Sequence, residues 1–187
     1  FAIYRPYEML RVDLCYQNLP VTIVGMGAGT IYSTLGSTHH TQEDISTLKA
    51  LPNLSIICPA DTHELEQALK FCIRNKNGPI YLRIGKSGEK IISDKNSEKW
   101  KFGKIRQVRR GSKSCVITYG PISTLAIDLW ENSREKFSIY TCHTIKPFDE
   151  NRLKKIFKKY SKIIILEDHS IIGGLYEIIA SKAFLFK

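Results

Sequence analysis

The chain has 187 residues, of which 43% are hydrophobic, 25% charged and 10% aromatic, with a formal net charge of +10. Those proportions fit one ordinary globular domain or two small ones and exclude wholesale disorder, collagen and coiled coil. No apolar run approaches the ~20 residues of a membrane span and no charged-then-apolar signal segment opens the chain, so no membrane role is expected. Leu10, Leu14 and Cys15 recur at helical spacing behind Tyr7 and predict a helix ending before Asn18-Leu19-Pro20. Val21 to Gly25 is β-branched and reads as a buried strand. Met26 to Glu43 is long, polar and glycine-rich, with His39 and His40 adjacent; a loop of that length without periodicity points to function. A short helix over Asp44 to Ala50, a strand over Leu54 to Pro59, a helix over His63 to Asn75 and a strand over Ile80 to Gly85 follow. Asp61 or Thr62 is the expected cap of the longer helix. Strand, helix and strand with short joints predict a parallel α/β sheet.

From Lys86 to Lys113 the composition turns to Lys, Ser, Asn, Asp and Glu. A second α/β series then begins, with strands expected near 115–120, 137–141 and 162–167 and helices near 123–135, 149–160 and 173–184. The expected organisation is an α/β domain over 1–87, a linker over 88–113 and a second α/β domain over 114–187. Both ends read as cut from something larger or docked on another chain, since the last helix is still apolar at Phe184, Leu185 and Phe186. The basic excess falls into two runs, Lys99 to Lys113 and Arg152 to Lys162, which read as solvated faces of the linker and of a helix. No nucleic-acid signature occurs, so nucleic acid is not an expected partner. Five cysteines, odd in number and without a CxxC, read as free buried thiols in a reducing compartment.

Chemistry is expected in Leu35-Gly36-Ser37-Thr38-His39-His40-Thr41-Gln42-Glu43-Asp44, between a strand's carboxyl end and a helix, where open parallel sheets place ligands. His39 there can hydrogen-bond or move a proton near neutral pH, or simply hold the loop. No GxSxG elbow accompanies it, which disfavours a serine hydrolase. His169 is expected to fix a loop, and His63 and His143 have no partner pattern.

Several runs together resemble the transketolase family. They are Arg5-Pro6-Tyr7-Glu8-Met9-Leu10-Arg11, Cys15 to Gly25, Gly36 to Ile45, Leu48 to Asp61, and Glu167-Asp168-His169-Ser170-Ile171-Ile172-Gly173-Gly174-Leu175. The resemblance implies the carboxyl-terminal section of such an enzyme: part of a pyrimidine-binding module of the thiamine diphosphate-binding fold, then a Rossmann-like carboxyl-terminal domain, each a three-layer unit around a parallel or mixed sheet. It implies a cytoplasmic enzyme of carbohydrate metabolism that moves a two-carbon ketol unit between phosphorylated sugars. The implied assembly is a homodimer, or a heterotetramer with an amino-terminal transketolase section. Thiamine diphosphate with Mg2+ or Ca2+ is the implied cofactor, its metal held outside this segment because no Gly-Asp-Gly motif occurs here; no metal ligand is assigned.

By the same resemblance His39 is the catalytic and substrate-binding histidine, Lys86 a substrate phosphate ligand, and Phe1, Tyr4 and Tyr7 candidates for packing on the aminopyrimidine ring. Leu35 stands where many relatives carry an acid, and Met26-Gly27-Ala28-Gly29 lacks the basic residue some relatives carry, so an atypical sugar is implied. Alternatives are a 1-deoxyxylulose-5-phosphate synthase, a 2-oxoacid dehydrogenase β-subunit, and a non-catalytic scaffold or regulatory subunit.

Overall fold

The computed structural model describes residues 2–86 and 88–186. A first helix begins as α1 (Tyr7–Met9) and continues with π geometry over Leu10–Tyr16, turning Leu10 and Cys15 into the core. Strand β1 (Thr22–Met26) leads into the long loop, which ends at helix α2 (Asp44–Lys49). Strand β2 (Ser55–Ile57), helix α3 (Thr62–Arg74) and strand β3 (Ile80–Ile84) complete the first series. Asp61 is the cap of α3: its carboxylate accepts Glu64 N at 2.7 Å, satisfying one of the donors a helix start leaves free.

The second series runs β4 (Arg106–Arg109), β5 (Ser114–Thr118), α4 (Ser123–Asn132), β6 (Ser138–Thr141), β7 (Thr144–Lys146), α5 (Glu150–Lys159), β8 (Lys162–Leu166) and α6 (Leu175–Leu185). Two four-stranded mixed sheets result, in the orders β1-β3-β2-β7 and β4-β6-β5-β8. Within each, three strands are parallel and one edge strand, β7 or β4, is antiparallel.

Two strands differ from the sequence expectation. β4 lies inside the stretch read as linker, because its arginines hide their polarity: Arg106 is buried on Glu64 with Nη1 2.8 Å from Oε1. β7 comes from the second half yet forms the edge of the first sheet, pairing Ile56 with Lys146 and Ile57 with Thr144. The stretch before β4 is also tied down, since Asp61 Oδ2 accepts Ile92 N at 2.8 Å and Ser93 N at 3.2 Å.

A large apolar cluster spans both halves, joining Ile45, Leu48 and Leu54 to Ile117, Tyr140, Leu153 and Leu175. Burial of apolar surface stabilises by ~25 cal/mol per Å2, so a shared cluster couples the two sheets energetically. All five cysteines are free; Cys15, Cys58, Cys115 and Cys142 are buried and Cys72 is half-buried. Among the described residues no helix is long and apolar enough to cross a membrane.

Candidate functional site

The carboxyl ends of β1, β3, β5 and β8 all open on one cleft of about 440 Å3 between the sheets, lined by Ala28, Thr30, Arg83, Tyr119, Pro121 and Asp168 among others. Ligands favour such positions because strand carboxyl ends leave loops free to carry polar groups. The loop after β1 is one wall. It is closed at its base by Gly29 and Thr41, which exchange two backbone bonds, 3.1 Å and 2.8 Å. Gly29 is required there: its φ is +64° and a side chain would run into the Asp168 carboxylate.

A buried knot holds this base. Asp44, the first residue of α2, accepts Arg83 Nε at 2.7 Å and Tyr81 Oη at 2.8 Å through one oxygen, Oδ2. Arg83 Nη2 donates to Thr41 O at 3.0 Å and to Asp168 O at 3.2 Å, so one guanidinium joins β3, the loop and the turn after β8. Burial is the largest influence on the Arg83 charge and disfavours it, but Asp44, Cys58 and Tyr119 together outweigh that and raise its pKa. Burial, reinforced by Asp44, raises the pKa of Tyr81 and keeps its hydroxyl a neutral donor. From the second half, Asp168 accepts Thr30 N at 2.9 Å, and Ser170 N donates to Gln42 O at 2.8 Å. His169 accepts Ser46 N on one ring nitrogen at 3.4 Å and donates to Ser170 O from the other at 2.7 Å, which fixes that turn.

Beyond the knot the loop is exposed. Thr38 Oγ1 lies 3.0 Å from His39 Nδ1, which orients the ring of this exposed residue. The Tyr32 ring meets His39 edge-on with centroids 5.7 Å apart, and Lys86 Nζ stands 5.5 Å over the same ring. His39 and Lys86, distant in sequence, are thus gathered around Tyr32, a residue the sequence reading did not single out. His40 packs its Nε2 against Ser33 O at 3.1 Å, a bond within the loop. Leu35 is exposed beside Gly36.

The aromatic candidates lie elsewhere, at the loop's far end. Tyr4 is half-exposed and donates to Glu43 Oε2 at 3.3 Å; burial, then the Asp44 and Glu43 carboxylates, push its pKa up to about 12. Tyr7 packs on the core and donates to Thr47 O at 3.3 Å. Phe1 lies outside the described residues. Both tyrosines bond to the segment that follows His39 rather than to the imidazole itself. Among the described residues no group of three His, Cys, Asp or Glu could hold a metal ion. Arg83 and Asp168 escaped the sequence reading. A lone arginine inside the apolar run Ile80-Tyr81-Leu82-Arg83-Ile84 was the available signal, since such a charge demands a buried partner.

Two α/β units sharing one core, with a histidine loop at the carboxyl edge of the first sheet, define the class. Residues 1–88 match the family "Transketolase, pyrimidine binding domain" and residues 103–184 match "Transketolase, C-terminal domain". The chain belongs to the transketolase family. It is 30% identical over 186 residues to an apulose-4-phosphate transketolase subunit of Actinobacillus succinogenes, covering 96% of this chain and 58% of that protein. It is 34% identical over 177 residues to 1-deoxy-D-xylulose-5-phosphate synthase of Prochlorococcus marinus, covering 92% of this chain and 28% of that one. A solved structure described as a split gene transketolase, inactive beta4 tetramer, superposes with a TM-score of 0.85 at 24% identity, over 99% of this chain and 60% of its own. The chain therefore spans less than two thirds of the length of the relatives it matches first.

Proposed function

We propose that this chain is the carboxyl-terminal section or subunit of a thiamine diphosphate-dependent transketolase-like enzyme, which moves a two-carbon ketol unit between phosphorylated sugars. The observation that carries the reading is the exposed Thr38-His39-His40 turn at the carboxyl edge of the first sheet, with Tyr32 and Lys86 beside the imidazole. The residues present fit one part of the cofactor: Tyr4 offers a half-exposed ring at the end of the loop, with Phe1 and Tyr7 as the other candidates for packing on the aminopyrimidine. In this reading the diphosphate and its Mg2+ or Ca2+ are held by another segment or chain. When bound, the cofactor supplies a stabilised carbanion.

In this reading His39 hydrogen-bonds sugar hydroxyls and carries a proton at Nε2, with Nδ1 steadied by Thr38. Lys86 faces the substrate phosphate, and its place over the Tyr32 ring keeps the ammonium poised near His39. Arg83 and Asp44 act through the loop by fixing its base. The working assembly is a homodimer or a heterotetramer with an amino-terminal section, in the cytoplasm.

The test is reconstitution of the chain with the section that completes its relatives, followed by ketol transfer from a panel of phosphorylated ketoses. His39→Ala is expected to lower kcat/KM by about 10²-fold or more while thiamine diphosphate binding to the complex persists. An unchanged rate, or no transfer by the wild-type complex, would remove the assignment. The 34% identity to the Prochlorococcus protein keeps a second reading; formation of 1-deoxy-D-xylulose 5-phosphate by the same complex would select it.

A further inference from the structure

The fold gathers the two basic runs that lie fifty residues apart in sequence, roughly the span of a small domain. Lys99, Lys101 and Lys104, from the stretch before β4, and Arg152 and Lys155, from α5, line one concave cleft of about 430 Å3. That volume suits a small ligand. Two carboxylates, Glu98 and Asp149, share the lining, and both are already engaged. Glu98 accepts Arg152 Nη2 at 2.7 Å and Gln107 N at 2.9 Å. Asp149 caps α5 by accepting Arg152 N at 3.1 Å, and its other oxygen accepts Ile105 N at 3.2 Å.

The remaining cations are poorly compensated. Lys104 Nζ stands 3.8 Å from Asp149, beyond hydrogen-bond distance. Among the described residues the Lys99, Lys101 and Lys155 ammonium groups have no ion pair, hydrogen bond or ring contact. All three are solvent-exposed side chains that line the same cleft. The wall bearing Lys101 is anchored: its carbonyl accepts His143 Nε2 at 2.9 Å, and Trp100 stacks on that buried ring with centroids 4.9 Å apart. The other wall is a helix. Concentrated positive charge in a walled cleft focuses the field on an entering anion.

The lining also says what kind of anion. Among the described residues no aromatic ring lines the cleft, so nothing there is provided for stacking a base, which single-stranded nucleic acid binding relies on. Asn151 adds a neutral hydrogen-bonding group beside the ammoniums. We propose that this cleft binds a small, multiply phosphorylated anion, recognised through its phosphates. It shares no lining residue with the cleft between the sheets and stands independently of the function proposed above.

Calorimetric titration of the purified chain with inorganic tripolyphosphate tests this. One site is expected, with orthophosphate binding at least about tenfold more weakly and affinity falling as salt rises. Lys101→Glu/Lys155→Glu should weaken tripolyphosphate by about tenfold or more. Lys76→Glu/Arg134→Glu makes the same charge change at exposed positions outside the cleft and should cost less than about twofold. Should the glutamate pair fail to fold, Lys101→Gln/Lys155→Gln decides, with a smaller but clear loss expected. Absence of wild-type binding, or equal losses in the cleft and control pairs, overturns the site. So does a single-stranded oligonucleotide that outcompetes tripolyphosphate at equal phosphate concentration, which would make the cleft a nucleic-acid surface.

Discussion

Two buried arginine–carboxylate pairs serve the two halves of the molecule differently. Glu64, on α3, is fully engaged: Oε1 accepts Arg106 Nη1 at 2.8 Å and Thr141 Oγ1 at 2.9 Å, and Oε2 accepts Ala60 N at 2.9 Å. It stitches the first series to β4 and β6 of the second sheet. Asp44 is half-engaged, since Oδ2 takes both Arg83 and Tyr81 while Oδ1 is buried without a hydrogen bond, 4.0 Å from His169 Nε2. A buried oxygen without a partner carries a desolvation cost of about 1–3 kcal/mol. The closed pair therefore fastens the two units, whereas the open pair sits under the loop that carries His39. Of the two carboxylates, the one with an unpaired oxygen lies at the base of the loop and the fully bonded one lies in the seam.

Truncating the closed pair should do the most damage. Glu64→Ala leaves the Arg106 guanidinium buried without a counter-charge and strips Thr141 and Ala60 of their acceptor, so a loss of about 3–5 kcal/mol is expected in urea unfolding. A loss below about 1 kcal/mol would mean the pair does not join the units. Asp44→Asn keeps the shape and an acceptor for Tyr81 but removes the charge opposite Arg83. A smaller loss of about 2–3 kcal/mol is expected. Its distinguishing mark is local: hydrogen exchange at Gly29 N and Thr41 N should accelerate more than exchange in β5. Equal acceleration everywhere would make the two pairs equivalent.

Much of this was legible in the sequence. The six apolar strands and their helices follow from short β-branched runs and helical spacing, because those patterns report burial directly. β4 was not legible, since Arg106-Gln107-Val108-Arg109 looks exposed until Glu64 is known to wait beneath it. β7 was not, because Thr144-Ile145-Lys146 follows β6 closely and its partner is a strand of the other half. At the site, His39 stood out because a long loop without periodicity flags itself, and Lys86 came from the resemblance alone. Tyr32, which gathers the two, carries no signal in a lone tyrosine. Asp168 sat inside the quoted Glu167-Asp168-His169 run, yet its tie to Thr30 crosses 138 positions and no local pattern encodes that.

Acid should probe the seam through His143. Its ring is buried, Nε2 donates to Lys101 O, and Nδ1 has no hydrogen bond, with Glu64 Oε1 3.9 Å away. Burial lowers its pKa from the ordinary 6.5, and Glu64 only partly opposes this. The unfolded chain then binds the proton more readily than the folded one, so stability is full above pH 6.5 and falls as pH drops toward the folded-state value. The slope from this single group is at most about 1.4 kcal/mol per pH unit. His143→Phe should flatten the curve below about pH 6.5; an unaltered slope would assign the acid sensitivity to other groups.

The smallest effect should come from Thr30, and it separates the Arg83–Asp44 knot from the Asp168–Thr30 contact. Asp168 accepts both the backbone N–H of Thr30, at 2.9 Å, and its hydroxyl, at 3.2 Å. Thr30→Val removes only the hydroxyl bond, at a part of the surface open to water, and should cost about 0.5–1 kcal/mol. If the Arg83–Asp44 knot is what holds the loop base, exchange at Thr41 N stays close to the wild-type rate in this variant and rises only in Asp44→Asn. A Thr30→Val protein that exchanges Thr41 N as fast as Asp44→Asn would shift that role to Asp168. The loop would then be positioned from the second unit instead of from the sheet beneath it.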